Sequence, residues 1–273
     1  GLFEGIRTYN GRVFKLEEHL RRLYNSAHAL MIDIGMTQQE MLEAVLELSR
    51  RNEVKDCYNR ITVSRGVSLG LDPRNCNAGA TVCISNDALS LYPEKMYQEG
   101  LTVMTVSTRV PLPQSVEPRI KSTGKYVSNI QAKLEANMVG AGEGLLLNVQ
   151  GYVAECTGDN IFLVRNGVLI TPPPSVGILE GITRNSIIEL AHKLGIPFEE
   201  KLFTLFDVYN ADECFLTGTA AEAIPVQSVD GRVIASGKPG PVTEQLRKAF
   251  RELTQSTGVP IYGDRCTAVS SGR

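Results

Sequence analysis

The chain lacks a basic surplus. Its 28 Lys and Arg stand against 30 Asp and Glu, for a net charge of -2 and a pI near 6.0. No Lys/Arg run forms a phosphate-tracking stripe, which argues against nucleic acid as a partner. Nothing approaches about 18 consecutive apolar residues, so no membrane span is expected. The six cysteines (Cys57, Cys76, Cys83, Cys156, Cys214 and Cys266) contain no C-x-x-C pair, and only three histidines could assist them. Zinc-ligand spacing is therefore missing and no metal is expected. Several cysteines sit in apolar, strand-like runs, as Cys214 does in D-E-C-F-L. They read as small buried hydrophobes in a reducing compartment, which predicts a cytoplasmic protein. Neither G-x-G-x-x-G nor G-x-x-x-x-G-K-[ST] occurs, which weighs against dinucleotides and nucleoside triphosphates. The sequence holds no internal repeat or low-complexity tract, and no signal peptide is expected. The start, G-L-F-E-G-I-R, has no Met and no lead-in, so residues upstream are expected to be missing.

What is present is ample for a folded enzyme or binding protein. The 273 residues are 42% apolar and 21% charged, ordinary values for a soluble chain of one large or two medium domains. Residues 1–14 read as extended pieces around the turn Asn10-Gly11. An amphipathic helix follows over about 16–31, with Leu16, Leu20, Leu23 and Ala27 as its buried stripe. Thr37 and Glu40 have capping-box spacing at the start of a second helix. Strands are expected at 57–64 and 81–85, a loop at 66–79, and a domain joint within 86–100. From 101 the texture becomes strand-rich, with strands near 144–149, 152–155, 159–164 and 168–171, and a turn at Asn166-Gly167. Thr183 is expected to open a helix over about 184–194, and Gly240-Pro241 opens the last one. The strand-rich run lacks the helices a doubly wound parallel fold needs. The predicted fold class is therefore α/β of the α+β type: two domains with mixed or antiparallel sheets, a small one over 1–95 and a large one over 96–273.

Four stretches could carry chemistry. In R-I-K-S-T-G-K-Y-V-S-N-I-Q-A-K-L-E-A, residues 119–136, Lys121 lies between an extended run and a helix on which Tyr126, Ile130, Leu134 and Met138 form one stripe. Lys121 is either a surface lysine at a helix start or an amine held for a fixed partner. Glu155 ends an apolar strand before a Thr-Gly-Asp-Asn turn; it either caps that turn or faces a cleft. Gly181, Ile182, Thr183 and Arg184 offer backbone amides at a helix N-terminus, either a plain Thr cap or an anion cup. Thr217-Gly218-Thr219-Ala220 forms a small-residue turn able to hold a phosphate or carboxylate. The three histidines, His19, His28 and His192, sit inside helical patterns and are expected to pack or face solvent.

In this order and spacing, the Lys121, Glu155, Gly-Ile-Thr and Thr-Gly-Thr-Ala-Ala-Glu segments resemble the fold-type IV pyridoxal-phosphate enzymes, most nearly the branched-chain amino-acid aminotransferases. G-L-F-E-G-I-R, H-L-R-R-L-Y-N-S-A, G-I-L-E-G-I-T-R and G-K-P-G-P-V-T-E are similar too, so the likeness runs from residue 1 to about 250. The resemblance implies pyridoxal 5′-phosphate bound covalently by Lys121. Glu155 would face its pyridine nitrogen and Tyr126 its 3′ oxygen, with Arg22, Ile182, Thr183 and Thr219 around its phosphate. Phe3, Arg7, Tyr58 and Arg60 would line the substrate side, with Tyr92 near it, and the amides of Thr219-Ala220 would meet the substrate carboxylate. The implied activity is transamination between Leu, Ile or Val and 2-oxoglutarate by a homodimer. The alternatives are a D-amino-acid aminotransferase, with the same lysine and glutamate but a different carboxylate trap, and an aminodeoxychorismate lyase of the same superfamily; a cofactor-binding or structural protein is the reading from another class. Three departures stand out. Cys156 follows Glu155 where the family more often has Gly. Lys125 lies close to Lys121, although Lys121 fits the motif better because Tyr126 comes five residues after it. The loop around Arg65 differs from the usual arrangement, which bears on side-chain preference.

Overall fold

Asn10 and Gly11 take positive φ values of 48° and 72°, conformations these two residues adopt at little cost. They turn β1 (Leu2–Tyr9) into β2 (Arg12–Val13) in the computed structural model, which describes residues 1–76, 78–88 and 92–262. α1 (Leu16–Ala29) then buries Leu16, Leu20, Leu23 and Ala27, as their spacing predicts. α2 (Gln38–Arg51) begins with the expected capping box. Glu40 N–H donates to Thr37 Oγ1 at 3.2 Å, and Thr37 N–H donates to Glu40 Oε2 at 2.7 Å. β3 (Cys57–Ser64) pairs antiparallel with both β1 and β4 (Thr81–Asp87). The stretch 86–100, expected to be a joint with few core signals, carries the end of β4 and α3 (Glu94–Glu99). Tyr92 and Tyr97 there pack partly buried against the larger core.

The remainder builds a second sheet. It consists of β5 (Leu101–Arg109), α4 (Tyr126–Met138), β6 (Glu143–Leu147), β7 (Val153–Cys156), β8 (Asn160–Arg165) and β9 (Val168–Thr171). These are followed by α5 (Ile182–Lys193), β10 (Phe198–Glu200), α6 (Leu205–Tyr209), β11 (Glu213–Gly218), β12 (Glu222–Val229), β13 (Arg232–Val233), α7 (Pro241–Ser256) and β14 (Val259–Pro260). β14 returns to the first sheet, giving the order β14-β2-β1-β3-β4, antiparallel throughout. The nine-stranded sheet is mixed: β12–β5, β5–β6 and β9–β10 are parallel, and its other pairings are antiparallel. β7 pairs back onto β8 through Glu155 and Asn160, so β8-β11-β12-β5-β6-β7 closes on itself and loses its free edges. The α/β class with mixed and antiparallel sheets is as the sequence predicts.

Alternation along β8 shows how the layers stack. Ile161 and Leu163 face the core enclosed by the closed strands. Phe162 and Val164 face outward, onto Ile187 and Leu190 of α5 and Leu246 and Phe250 of α7. The first sheet rests on α1 and α2 through its own cluster, including Leu2, Ile6, Ile61 and Val63.

α4 departs from the expected packing. Tyr126 is half-buried, but Ile130, Leu134 and Met138 are 61%, 59% and 86% exposed. The inward face is instead Asn129, Ala132 and Ala136. Small side chains let the helix lie close on β5 and β6. A Cβ on Gly144 would come within 3.0 Å of Ala132 O and of Val106 Cγ1, so the strand beneath needs glycine there.

Candidate active site

The site forms where the two sheets meet. The loop from β5 to α4 is tied to β1: Phe3 N–H donates to Lys121 C=O at 3.2 Å, and Thr123 N–H donates to Gly1 C=O at 2.9 Å. Leu2 and Ser122 add a β-bridge. Lys121 is thereby fixed at its backbone. Its Nζ donates to Tyr126 Oη at 2.8 Å, a contact made by folding the first turn of α4 back over the loop. Burial, followed by the charge of Arg22, brings the Lys121 amine down to about 8. Burial likewise pushes the Tyr126 hydroxyl up to about 12, so it stays neutral at physiological pH.

Glu155 faces the same cleft from β7, at the seam that closes the strands. It is 3% exposed. Leu179 N–H donates to its Oε2 at 2.8 Å, and Lys125 Nζ lies 2.5 Å from its Oε1. The carboxylate therefore faces the cleft rather than capping its own turn. Lys125, set aside in the sequence in favour of Lys121, is 1% exposed. The signal for it was present: Lys125, Asn129, Ala132 and Ala136 follow helical spacing, one to two residues out of step with the Tyr126 stripe.

The opposite end of the cleft is an anion cup. α5 begins at Ile182, one residue before the expected cap Thr183, and its N-cap is Gly181 with no capping side chain. No side chain competes for the first amides of the helix, and these have no intrahelical partners. A Cβ on Gly181 would fall 2.1 Å from Asn160 Oδ1, which explains the glycine. Arg22 reaches this end from α1: its NH1 donates to Glu180 C=O at 2.8 Å. Arg22 is held in turn by Glu4 of β1, with Nε to Oε1 at 2.7 Å and NH2 to Oε2 at 2.8 Å, and His19 Nδ1 lies 2.8 Å from Oε2. Burial alone would weaken the acidity of Glu4, but Arg22 and His19 override it and hold the carboxyl well below the usual range. His19 is packed in the interior, as expected, but against a carboxylate that the sequence reading missed, Glu4. The end of β11 and the turn at Thr219 after it complete the cup. Thr217 Oγ1 is buried without a partner, and a Cβ on Gly218 would meet Asp159 Oδ1 at 2.0 Å. An orphaned hydroxyl, uncapped amides and a guanidinium at one end suit a phosphate. An amine and a carboxylate at the other suit a ring with a basic nitrogen.

The cleft, about 400 Å³ counted with its opening to solvent, is lined by Arg22, Lys121, Tyr126, Glu155, Ile182, Thr183 and Thr219. Phe3, Arg7, Tyr58, Arg60 and Ala220 do not line it. Two of these stand against the amine: the Phe3 ring is 4.8 Å from that of Tyr126 and 4.9 Å from Lys121 Nζ, and Arg60 lies over Phe3 at 4.7 Å. Arg7 and Tyr58 are cross-strand partners on β1 and β3. Tyr58 lies over Gly5, where a Cβ would be 1.7 Å from its hydroxyl. Arg7 approaches Glu222 at 3.9 Å, beyond the turn holding Ala220. Asp159, also in the cleft wall and unremarked in the sequence, has its carboxyl acidity weakened by burial and by nearby Glu143.

Known proteins resemble the chain in sequence and in fold. The pattern of the amino-transferase class IV family matches residues 1–229. A Methanocaldococcus jannaschii protein provisionally assigned as a branched-chain-amino-acid aminotransferase is 46% identical over 97% of this chain and 90% of its own length. The branched-chain-amino-acid aminotransferase of Pseudomonas aeruginosa is 40% identical over 93% of this chain and 83% of its own. The solved Escherichia coli branched-chain amino acid aminotransferase superposes with a TM-score of 0.90 at 34% identity, over 96% of this chain and 88% of its own. The branched-chain amino acid aminotransferase of Thermobaculum terrenum, solved in its PLP-form, gives 0.86 at 34% identity, over 93% and 84%. Alike in sequence along most of its length and in three-dimensional form, the chain belongs to the amino-transferase class IV family.

Proposed function

We propose that this chain is a pyridoxal-phosphate-dependent transaminase that exchanges the amino group between branched-chain L-amino acids and 2-oxoglutarate. The observation that carries this reading is the pairing, in one cleft, of a Lys121 amine brought down to about 8 with a buried Glu155 and an uncapped helix N-terminus. The cofactor, when bound, supplies an electron sink next to the substrate α-carbon. The chain supplies position and proton handling. Arg22, the amides of Ile182 and Thr183, and Thr219 would hold the phosphate. Tyr126 would hold the 3′ oxygen, and Glu155 would face the ring nitrogen. Lys121, neutral in part near neutral pH, would take the proton from the substrate α-carbon and return it as acid. Phe3, Arg7, Tyr58 and Arg60 would face the substrate side chain, and the amides at Thr219-Ala220 its carboxylate. The same reading assigns residues 1–95 to a small domain and 96–273 to a large one, with the site between them.

An amino-donor panel with 2-oxoglutarate tests this. Turnover of L-Leu, L-Ile and L-Val, lost in Lys121→Ala, is expected. Preference for D-Ala would move the assignment to a D-amino-acid aminotransferase, and turnover undiminished in Lys121→Ala would end it.

The reading includes a homodimer. Ile130, Leu134 and Met138 give α4 an exposed apolar stripe on the helix that begins next to Lys121, suited to cover by a second copy. Light scattering should give at least twice the chain mass, falling toward one chain in Leu134→Glu; a monomer at micromolar concentration would discard it. A cytoplasmic setting is supported by free Cys57, Cys76, Cys83, Cys156 and Cys214, while Cys266 lies outside the described residues. Among the described residues no helix is long and apolar enough to cross a membrane.

A further inference from the structure

Lys125 has no role in the reaction outlined above, yet it heads the largest fully buried side chains among the described residues. Its Nζ lies 2.5 Å from Glu155 Oε1 and 4.8 Å from the centroid of the Tyr126 ring. The other oxygen of Glu155 already accepts Leu179 N–H at 2.8 Å. The carboxylate assigned to the ring nitrogen thus has an internal cation in place, held by the backbone at the start of α4. Lys125 N–H also donates to Ser122 Oγ at 3.3 Å, which ties this residue to the loop of Lys121.

We propose that Lys125 is a positioning residue that shares Glu155 with the ring nitrogen of the cofactor and so sets how much that nitrogen contributes to binding. The inference rests on the pyridoxal-phosphate reading. Its physics is that of one anion between two cations. Before the cofactor arrives, Lys125 neutralises a carboxylate that would otherwise be buried unpaired, an expensive state. After it arrives, a protonated ring nitrogen and the Lys125 ammonium divide one carboxylate, and each gains less from it than it would alone. A ligand with no nitrogen at that position leaves the Lys125–Glu155 pair intact and loses little. Without Lys125 the same ligand would strand Glu155, whereas a ligand with the nitrogen would satisfy it fully.

The test compares two ligands on the full chain freed of cofactor. One is pyridoxamine 5′-phosphate, which carries the nitrogen and cannot condense with Lys121. The other is its analogue with carbon in place of the ring nitrogen. Calorimetry gives the ratio of their dissociation constants. For the wild type the nitrogen should improve binding by less than about tenfold. In Lys125→Met the ratio should rise to about a hundredfold, the scale of one hydrogen bond to a charged partner. Lys125→Arg, which restores the charge, should bring the ratio back down. Lys125→Gln provides a second neutral variant if Met impairs folding. A merely structural lysine would weaken both ligands alike and leave the ratio where it was; equal ratios within about threefold in wild type and both neutral variants would overturn the proposal. Failure of both ligands to bind the wild type would instead remove the cofactor reading, and this inference with it.

Discussion

Glu4 and Glu155 are the same side chain, equally buried, on the two sheets that meet at the cleft, yet they are held in opposite ways. On β1, both oxygens of Glu4 are taken by the guanidinium fork of Arg22, with His19 added. A fork matched to a carboxylate is rigid and bidentate. The circuit is closed, and what it passes on is the aim of Arg22, whose remaining nitrogen reaches the Glu180 carbonyl beside the anion cup. On β7, Glu155 is held by one amide and one ammonium. An ammonium is a point charge on a flexible stem, and a second donor can share its acceptor. A buried carboxylate thus becomes scaffold or working group according to its partner, with no difference in burial.

Substituting each carboxylate by its amide would break or sharpen that contrast. Glu155→Gln should show the largest effect on turnover, a fall in kcat of about 10²–10³-fold, the scale for losing one preorganised electrostatic contact in an active site. It should also strand Lys125, so the double variant Glu155→Gln/Lys125→Met should recover stability without recovering rate. Glu4→Gln should act the other way round. It leaves the half-buried Arg22 without its counter-charge and should cost about 3 kcal/mol of stability, the low end for breaking a buried ion pair, read by denaturant unfolding, while the folded fraction keeps its kcat within about tenfold. If Glu4→Gln, folded, lost as much turnover as Glu155→Gln, the distinction between the two carboxylates would collapse.

How far these features were legible in the sequence depends on how local their causes are. The Asn10-Gly11 turn, the α1 stripe, the capping box of α2 and the proline start of α7 are set within a few residues and match expectation. Seven of the residues lining the cleft, among them Arg22, Lys121 and Glu155, came from order and spacing across the whole chain, which a family resemblance can supply; Asp159 did not. Three features were out of reach for physical reasons. Helical spacing marks Ile130, Leu134 and Met138 as one face but cannot say whether this chain covers it; Asn129, Ala132 and Ala136 take the inner side. Glu4 and His19 acquire meaning only through Arg22 and the carbonyl of Glu180, brought near by folding. The closing pair Glu155 and Asn160 depends on strand register, which local pattern leaves open. Gly181 in place of Thr183 at the helix start is a shift of only two residues, yet it decides whether the first amides are free to bind an anion.

The two lysines offer the finest version of the comparison, in a pH profile. Lys121 lies between opposing charges: after burial, Arg22 and Arg60 lower its proton affinity, and Glu4 and Glu155 raise it, leaving the amine at about 8 against an ordinary 10.5. The charged form is therefore disfavoured in the folded protein. Between pH 8 and 10.5 the unfolded chain binds the extra proton, so this group adds stability as pH rises through that window and adds none below it. The neutral fraction, which is the nucleophile, reaches one half at about pH 8 and saturates about one unit above it. Covalent uptake of pyridoxal 5′-phosphate, followed by absorbance, should climb with pH through a midpoint at about 8 and level off about one unit higher. Lys125→Met should leave that midpoint within about half a unit, because Lys125 acts on Glu155 and is absent from the leading charges around Lys121. Arg22→Gln should move the midpoint upward, since its charge is the next cause after burial; it will also slow uptake, so the position of the plateau is the quantity to read. A profile still climbing at pH 10 in the wild type would mean that the reacting amine is not a buried one.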